Sequence, residues 1–187
     1  MLDIRVCGHV DLEKYYTMFE VDFDSEELLP KLAVHKAITN RNAELLGFYD
    51  TESKLDLGYA LVITKNVYGY VLLKYFGIFP WYRGKGLGVE AMRLLNKRYA
   101  DRQGIAAEIT EFDDPAPDHV KRLLKFFDRF GYRETETKYK IRGTNTHLMV
   151  KPVNGPGDIG PVAERIMRDF YSRVLSATAV DRMISFK

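Results

Sequence analysis

Ile78-Phe79-Pro80-Trp81-Tyr82-Arg83-Gly84-Lys85-Gly86-Leu87-Gly88 is the stretch on which the fold turns. An apolar run ends at Pro80, which has no N–H to offer a central sheet ladder. Glycines follow at the alternate positions 84, 86 and 88, and the period then changes, with Leu87, Ala91, Leu94 and Leu95 on one helical face. A strand therefore hands over to a helix through a glycine loop. Without Cβ atoms such a backbone can come close to a ligand. The first turn of a helix carries roughly half a positive charge and several unpaired N–H groups, so a phosphate or pyrophosphate is its natural guest. Arg83 and Lys85 add positive charge at the rim.

Two other phosphate loops fail on inspection. A P-loop needs glycine where Phe79 stands and Ser or Thr at Gly86, and a dinucleotide fingerprint starting at Gly84 needs glycine at Val89. Upstream of the loop, the pattern predicts a strand over 3–7, helices near 11–21 and 25–38 with Asp24 and Ser25 capping the second, a hairpin of 43–50 and 57–64, and a strand over 70–79. Downstream it predicts a helix over 86–102 ended by Gly104, a strand over 105–110 and a turn-rich link over 113–117. An amphipathic helix through Val120, Leu123, Leu124 and Phe127 ends at Gly131. Strands over 132–142 and 146–152 close the domain around a Gly143-Thr144-Asn145 turn.

Asn154-Gly155-Pro156-Gly157 marks a boundary between a domain of residues 1–153 and a tail of 154–187. Pro161 suits a first helical turn, and Val162, Ile166, Phe170 and Val174 make a stripe that packs on the domain or on a second copy, as in a homodimer.

Composition narrows the class. A chain of 187 residues is long enough to bury one core, and a formal charge of +2 demands neither nucleic acid nor a membrane surface. The lone Cys7 cannot form an internal disulfide and reads as a buried strand residue. No stretch approaches the ~20 apolar residues that cross a bilayer, and the start lacks a signal-peptide pattern, so a cytoplasmic protein is expected. His9, His35, His119 and His147 lack metal-ligand spacing, and no metal is expected. Lys121, Arg122, Lys125 and Arg129 lie opposite an apolar stripe and read as a solvated face rather than a nucleic-acid surface.

Over residues 1–153 the sequence resembles the GNAT N-acetyltransferase superfamily, whose cofactor signature (Arg or Gln, two residues, Gly, one residue, Gly or Ala) is matched by Arg83-Gly84-Lys85-Gly86-Leu87-Gly88. The resemblance implies an α/β fold with a mixed, mostly antiparallel sheet flanked by helices and splayed beside the strand ending at Ile78. It implies acetyl-CoA as co-substrate, with backbone groups around Gly77, Ile78 and Phe79 pairing the pantetheine amides and the amides of residues 84–88 holding the pyrophosphate. It further implies direct attack by a primary amine, from a small molecule or a peptide, on the thioester.

The family's usual acid is a tyrosine four residues before a Gly-Phe-like pair. Counting back from Gly131-Tyr132 places Phe127 there, beside the cofactor and with no proton to give. Tyr132, Tyr139 or another hydroxyl would have to substitute. Glu108 is the candidate base, with Glu111 and Tyr75 behind it, and its competing expectation is a strand residue paired with a neighbouring Lys or Arg. Lys74 stands where related sequences often carry a carboxylate. Asp22, Asp24, Glu26 and Glu27 border the expected acceptor side and could draw a cationic amine, although ordinary helix-start charge placement is the favoured explanation. Tyr15, Tyr16, Phe19 and Phe23 could line the same pocket or the core. Phe127 and Lys74 together motivate the other reading, a catalytically weak acyl-CoA sensor or interaction module.

Overall fold

The computed structural model describes residues 1–110, 116–156 and 159–186. Glu111, the second choice of base, and most of the 113–117 link lie outside the described residues. So does Gly157 of the boundary.

Among the described residues, eight strands form one sheet: β1 (Leu2–Cys7), β2 (Ala43–Asp50), β3 (Asp56–Ile63), β4 (Tyr70–Ile78), β5 (Gly104–Thr110), β6 (Arg133–Ile141), β7 (Thr144–Pro152) and β8 (Ile184–Phe186). Their order is β1-β2-β3-β4-β5-β7-β6-β8. Neighbours run antiparallel except β4 and β5, which are parallel over four residue pairs from Tyr70↔Gly104 to Leu73↔Ala107. The fold is thus the mixed, mostly antiparallel α/β sheet that the resemblance implied. The helices are α1 (Leu12–Asp22), α2 (Lys31–Thr39), α3 (Leu87–Arg98), α4 (Asp118–Arg129), α5 (Gly160–Ser172) and α6 (Ala177–Met183).

Two apolar cores cover the two faces of the sheet. Side chains of α1, α2, α5 and α6 fill one, around Phe19, Tyr59, Tyr75, Ile166 and Phe170. Those of α3 and α4 fill the other, around Leu95, Met92, Phe127 and Tyr132. Cys7 is a free, buried strand residue.

Four local expectations need correction. The helix expected over 25–38 starts only at Lys31. The residue before a proline avoids the α region, and Pro30 itself suits the helix entry, where an N–H would be unpaired anyway. Asp24 and Ser25 therefore sit in a turn, closed by the Glu27 amide donating to the Asp24 carbonyl at 2.9 Å. Gly104 does not end α3, which stops at Arg98; it opens β5. A Cβ at Gly104 would lie 2.6 Å from the Tyr70 ring, so close packing fixes that glycine. The β6–β7 turn is Arg142-Gly143, with φ of 49° and 87°, the two-residue left-handed turn that matches strand twist. Thr144 and Asn145 already belong to β7.

The tail holds more than one helix. Ile166, Met167, Phe170 and Tyr171 of α5 are fully buried in the first core, and β8 adds to the sheet edge with Tyr139 opposite Phe186. Burying Ile166, Met167 and Phe170 alone contributes roughly 5–9 kcal/mol, comparable with the whole net stability of a typical domain. Residues 159–186 thus share the core of residues 1–153.

Candidate active site

The site begins where β4 and β5 part. After Leu73↔Ala107 their backbones no longer pair, yet β4 runs on to Ile78 and β5 to Thr110. At the same point β4 carries an extra residue: Leu61 pairs Tyr75 and Val62 pairs Leu73, which leaves Lys74 as a bulge. One inserted residue reverses the facing of the strand beyond it. Leu72 points into the first core and Leu73 into the second, whereas past the bulge Tyr75 joins the first core and Phe76 the second.

The open edge of β4 exposes backbone. The Phe79 amide donates to the Leu57 carbonyl at 2.9 Å, and Gly77 pairs Tyr59. Strand alternation therefore turns the N–H and C=O of Gly77 toward β3 and those of Phe76 and Ile78 toward the gap. Sequence reasoning centred this row on Gly77, Ile78 and Phe79. The register moves it to Phe76 and Ile78, with Gly77 contributing wall rather than hydrogen bonds, and Phe79 is buried among aromatic rings of the first core.

Beside this edge lies a cleft of about 480 Å³. Gly77, Ile78, Arg83, Gly84, Gly86, Leu87 and Gly88 line one side, and Leu123 and Phe126 of α4 the other. Gly84 and Gly86 adopt φ of 78° and 80°, and a Cβ on either would meet no atom within 4 Å. Their glycines answer to backbone conformation alone. Gly86 is the N-cap of α3, and Gly86, Leu87 and Gly88 all line the cleft, so the start of the helix lies at its wall. Lys85 stays outside the wall, its ammonium 5.8 Å over the Tyr82 ring.

Arg83 is already occupied. Its Nε donates to the Ile78 carbonyl at 2.8 Å, and its guanidinium pairs with Asp22, which also accepts the Tyr59 hydroxyl at 2.6 Å. Burial, then the Asp22 hydrogen bond, pushes the Tyr59 phenol far above its ordinary range.

Phe127 requires a correction. It is 6 % exposed and packs edge-on to Tyr132, with ring centroids 5.0 Å apart, whereas Phe126 and the 41 % exposed Leu123 face the cleft. The Tyr132 hydroxyl reaches only Met92 Sδ at 3.8 Å inside the second core, so it cannot stand in as an acid at the gap.

At the closed end of the gap, one residue beyond the last β4–β5 pair, Lys74 Nζ donates to Glu108 Oε2 at 2.7 Å. The two side chains are 5 % and 6 % exposed. Tyr139 donates to Glu108 Oε1 at 2.7 Å, and the Tyr171 hydroxyl lies 2.8 and 2.7 Å from the two carboxylate oxygens and 2.9 Å from Lys74 Nζ. Burial alone would lower the Lys74 pKa, but the Glu108 charge outweighs it and the ammonium is raised above its usual range. Burial and the same carboxylate raise both tyrosines well above theirs. Glu108 is thus paired with a neighbouring lysine, as its competing expectation held, but in the interior rather than in solvent.

Lys74 and Glu108 of this cluster line a narrow chamber of about 40 Å³, together with Phe23, Glu27, Tyr75 and Thr110. A wider trench of about 500 Å³, with Asp22, Asp24, Glu27, Glu108 and His119 on its walls, shares Phe23 with both the chamber and the cleft. Glu27 accepts from Thr110 Oγ1, and the Tyr75 hydroxyl is held between the Glu27 carbonyl at 3.1 Å and the Leu29 amide at 2.7 Å. Tyr75, a secondary base candidate, therefore anchors the α1–α2 link. Of the four aromatics expected at the acceptor side, Phe23 reaches the cavity, whereas Tyr15, Tyr16 and Phe19 are core.

Sequence reasoning missed Tyr171, which lay outside the resemblance, and Phe126, hidden beside the apolar stripe. Lys121, Arg122, Lys125 and Arg129 are exposed, as a solvated face requires. Among the described residues, no group of three His, Cys, Asp or Glu could hold a metal, and no helix is long and apolar enough to cross a membrane.

A sheet parted between β4 and β5, with a glycine loop and helix start at the mouth of the gap, is the architecture of the GNAT N-acetyltransferases, and the comparison with solved structures places this chain in that fold. A Bacteroides thetaiotaomicron protein assigned to the GNAT acetyltransferase family is 18% identical, with 91% of this chain and 96% of that one covered at a TM-score of 0.69. The ribosomal-protein-S18-alanine N-acetyltransferase of Escherichia coli is 15% identical over 84% of this chain and 97% of its own, at 0.62. Spermidine N-acetyltransferase of Vibrio cholerae, solved with CoA and spermine, is 13% identical over 81% and 95%, at 0.60. No protein-family model matches the sequence, and no curated protein matches it.

Proposed function

We propose that the protein is an acyl-CoA-dependent N-acyltransferase that moves the acetyl group of acetyl-CoA to a primary amine by direct attack on the thioester. The observation that carries this reading is the coincidence of a free β4 edge with the Gly84–Gly86 backbone and the α3 N-terminus on one cleft. A pantetheine amide chain is what an unpaired strand edge recognises, and a pyrophosphate is what a helix start holds. CoA carries the two joined end to end. The solved neighbours bound to CoA or acetyl-CoA support the same co-substrate.

In this reading the backbone of Gly84, Gly86, Leu87 and Gly88 holds the pyrophosphate, Arg83 and Lys85 add charge at its rim, and Phe76 and Ile78 pair the pantetheine. The amine, supplied by a small molecule or a peptide, enters by the trench whose walls carry Asp22, Asp24 and Glu27. The nitrogen forms a bond to the carbonyl carbon, the C–S bond breaks, and the proton lost by nitrogen equals the one gained by sulfur. Water can carry it between them, so a cleft wall of Phe126 and Leu123, with no hydroxyl to offer, leaves the chemistry slower rather than impossible. Glu108, with both oxygens already accepting, takes part as the counter-charge that fixes Lys74 rather than as a direct base.

Calorimetry with acetyl-CoA, followed by thiol release on adding a panel of small amines and peptides, tests the reading. Binding with release is the expected result. Absence of binding by the folded protein would remove the reading. Binding without release across the panel would favour the sensor, for which the closed Glu108 cluster and the hydroxyl-free Phe126 at the cleft wall are the supporting observations.

Gly88 offers a sharper check. Its Cβ position would meet Ile78 and Phe126 only at ordinary contact distances of 3.8 and 3.9 Å, so the protein itself does not need glycine there. Gly88→Ala is expected to stabilise the fold by roughly 0.5–1 kcal/mol, through lower backbone entropy in the unfolded chain. It should also weaken acetyl-CoA binding about tenfold, near 1.4 kcal/mol, because the methyl narrows the cleft. A melting curve and a titration on the same samples read both, and a stabilised variant with unchanged affinity would move the cofactor elsewhere.

A further inference from the structure

We propose that Tyr171, from the tail helix α5, is a positioning residue for acyl transfer: its hydroxyl fixes the Lys74–Glu108 pair at the closed end of the β4–β5 gap. The proposal rests on the acyl-transfer reading above and assigns a working role to a segment outside the region of family resemblance.

Three observations carry it. First, the placement is specific: one fully buried hydroxyl lies within 2.9 Å of Lys74 Nζ and of both Glu108 oxygens. A phenol has one proton and two lone pairs, so it can donate to the carboxylate while accepting from the ammonium, and it matches both halves of the pair at once. Second, the location is where the gap begins. Lys74 is the bulge residue and Glu108 the residue just past the last paired one on β5, so the strands are joined there by side chains instead of a backbone ladder. Third, the Lys74 ammonium and the Glu108 carboxylate both line the small chamber at that end of the gap, with the Tyr75 ring beside them.

Acyl transfer builds negative charge on the thioester oxygen and then on sulfur. A fixed cation in a nearly dry site stabilises such charge, provided it does not have to reorient as the charge forms. Lys74 has a long flexible stem and reaches Tyr171 and Glu108 by hydrogen bonds. Without the phenol, the carboxylate alone would leave the ammonium free to swing about one partner, and part of the preorganisation would go.

Tyr171→Phe keeps the buried ring and removes the hydroxyl. Expected are an acetyl-CoA Kd and KM within about twofold of the parent, because the cofactor cleft is lined by other residues, and a kcat at least about tenfold lower, as loss of one preorganising hydrogen bond to a charged group produces. Phe170→Leu serves as the control. It trims the same helix turn inside the core and carries no polar group that could bond the cluster, so it should lower the melting temperature and leave kcat at 25 °C within twofold. A Tyr171→Phe protein that keeps its kcat, or a Phe170→Leu protein that loses as much, would overturn the positioning role while the acyl-transfer reading stood. Parent protein that releases no thiol with any amine of the panel would remove that reading, and this role with it.

Discussion

Lys74→Met should cost the fold about 3–5 kcal/mol, the usual penalty for leaving the partner of a buried ion pair uncompensated. Methionine replaces the aliphatic stem but not the charge, and Glu108, 6 % exposed, would keep only two phenols. In a chain of this size that loss corresponds to a fall in melting temperature of roughly 6–20 °C. Adding Glu108→Gln to the same protein should restore at least half of it, since an uncharged amide still accepts from Tyr139 and Tyr171 without demanding a cation. Urea titrations of the two single variants and the double variant measure the coupling directly. A loss below about 1 kcal/mol for Lys74→Met, the range of an exposed ion pair, would mean that water reaches the cluster and that the site is wetter than its geometry implies.

Gly86→Glu should abolish acetyl-CoA binding while leaving the fold in place. The two halves of that expectation come from different facts. At φ of 80° a side chain costs roughly 1–2 kcal/mol of left-handed strain, but nothing lies within 4 Å of its Cβ, so the protein can accommodate the bulk. What the carboxylate would occupy is the mouth of α3, in front of the helix start proposed to receive a pyrophosphate. Charge repulsion and blockage together should raise Kd by about 100-fold or more, some 2.8 kcal/mol. Calorimetry on a sample with unchanged far-UV circular dichroism is the measurement. Retained affinity in a folded variant would detach the glycine loop from cofactor binding.

Much of this arrangement was legible in the sequence because it rests on local signals. The β2 strand over 43–50 has the bounds that its side-chain pattern implied. The loop and the α3 start followed from alternate glycines before an apolar stripe, and the resemblance supplied the sheet that they serve. What was not legible depends on pairings across long separations or on a single residue. The bulge at Lys74 adds no unusual residue to β4, so the change of facing between Leu73 and Tyr75 cannot be read from composition. Pro30 held the information that 25–38 could not be one helix, and the apolar period outweighed it in the reading. Phe127 was assigned by counting along a family pattern, and the helix rotation put Phe126 at the wall instead. Tyr171 meets Lys74 across 97 positions, and an isolated tyrosine in an amphipathic stripe looks like any other core residue.

The same 97-position span bears on how the protein comes into being. Synthesis runs from the amino end, so Lys74, Glu108 and Tyr139 emerge before Tyr171 does. Until α5 docks, a charged pair and the apolar floor beneath it have no cover, and the nascent sheet must remain open or be shielded by other means. Contacts of such long range close late and slowly, and they are where transient exposure invites aggregation. Helix α5, the last but one to be made, thus acts as a checkpoint: the cluster of Lys74, Glu108, Tyr139 and Tyr171 cannot be assembled before nearly all of its scaffold has been translated.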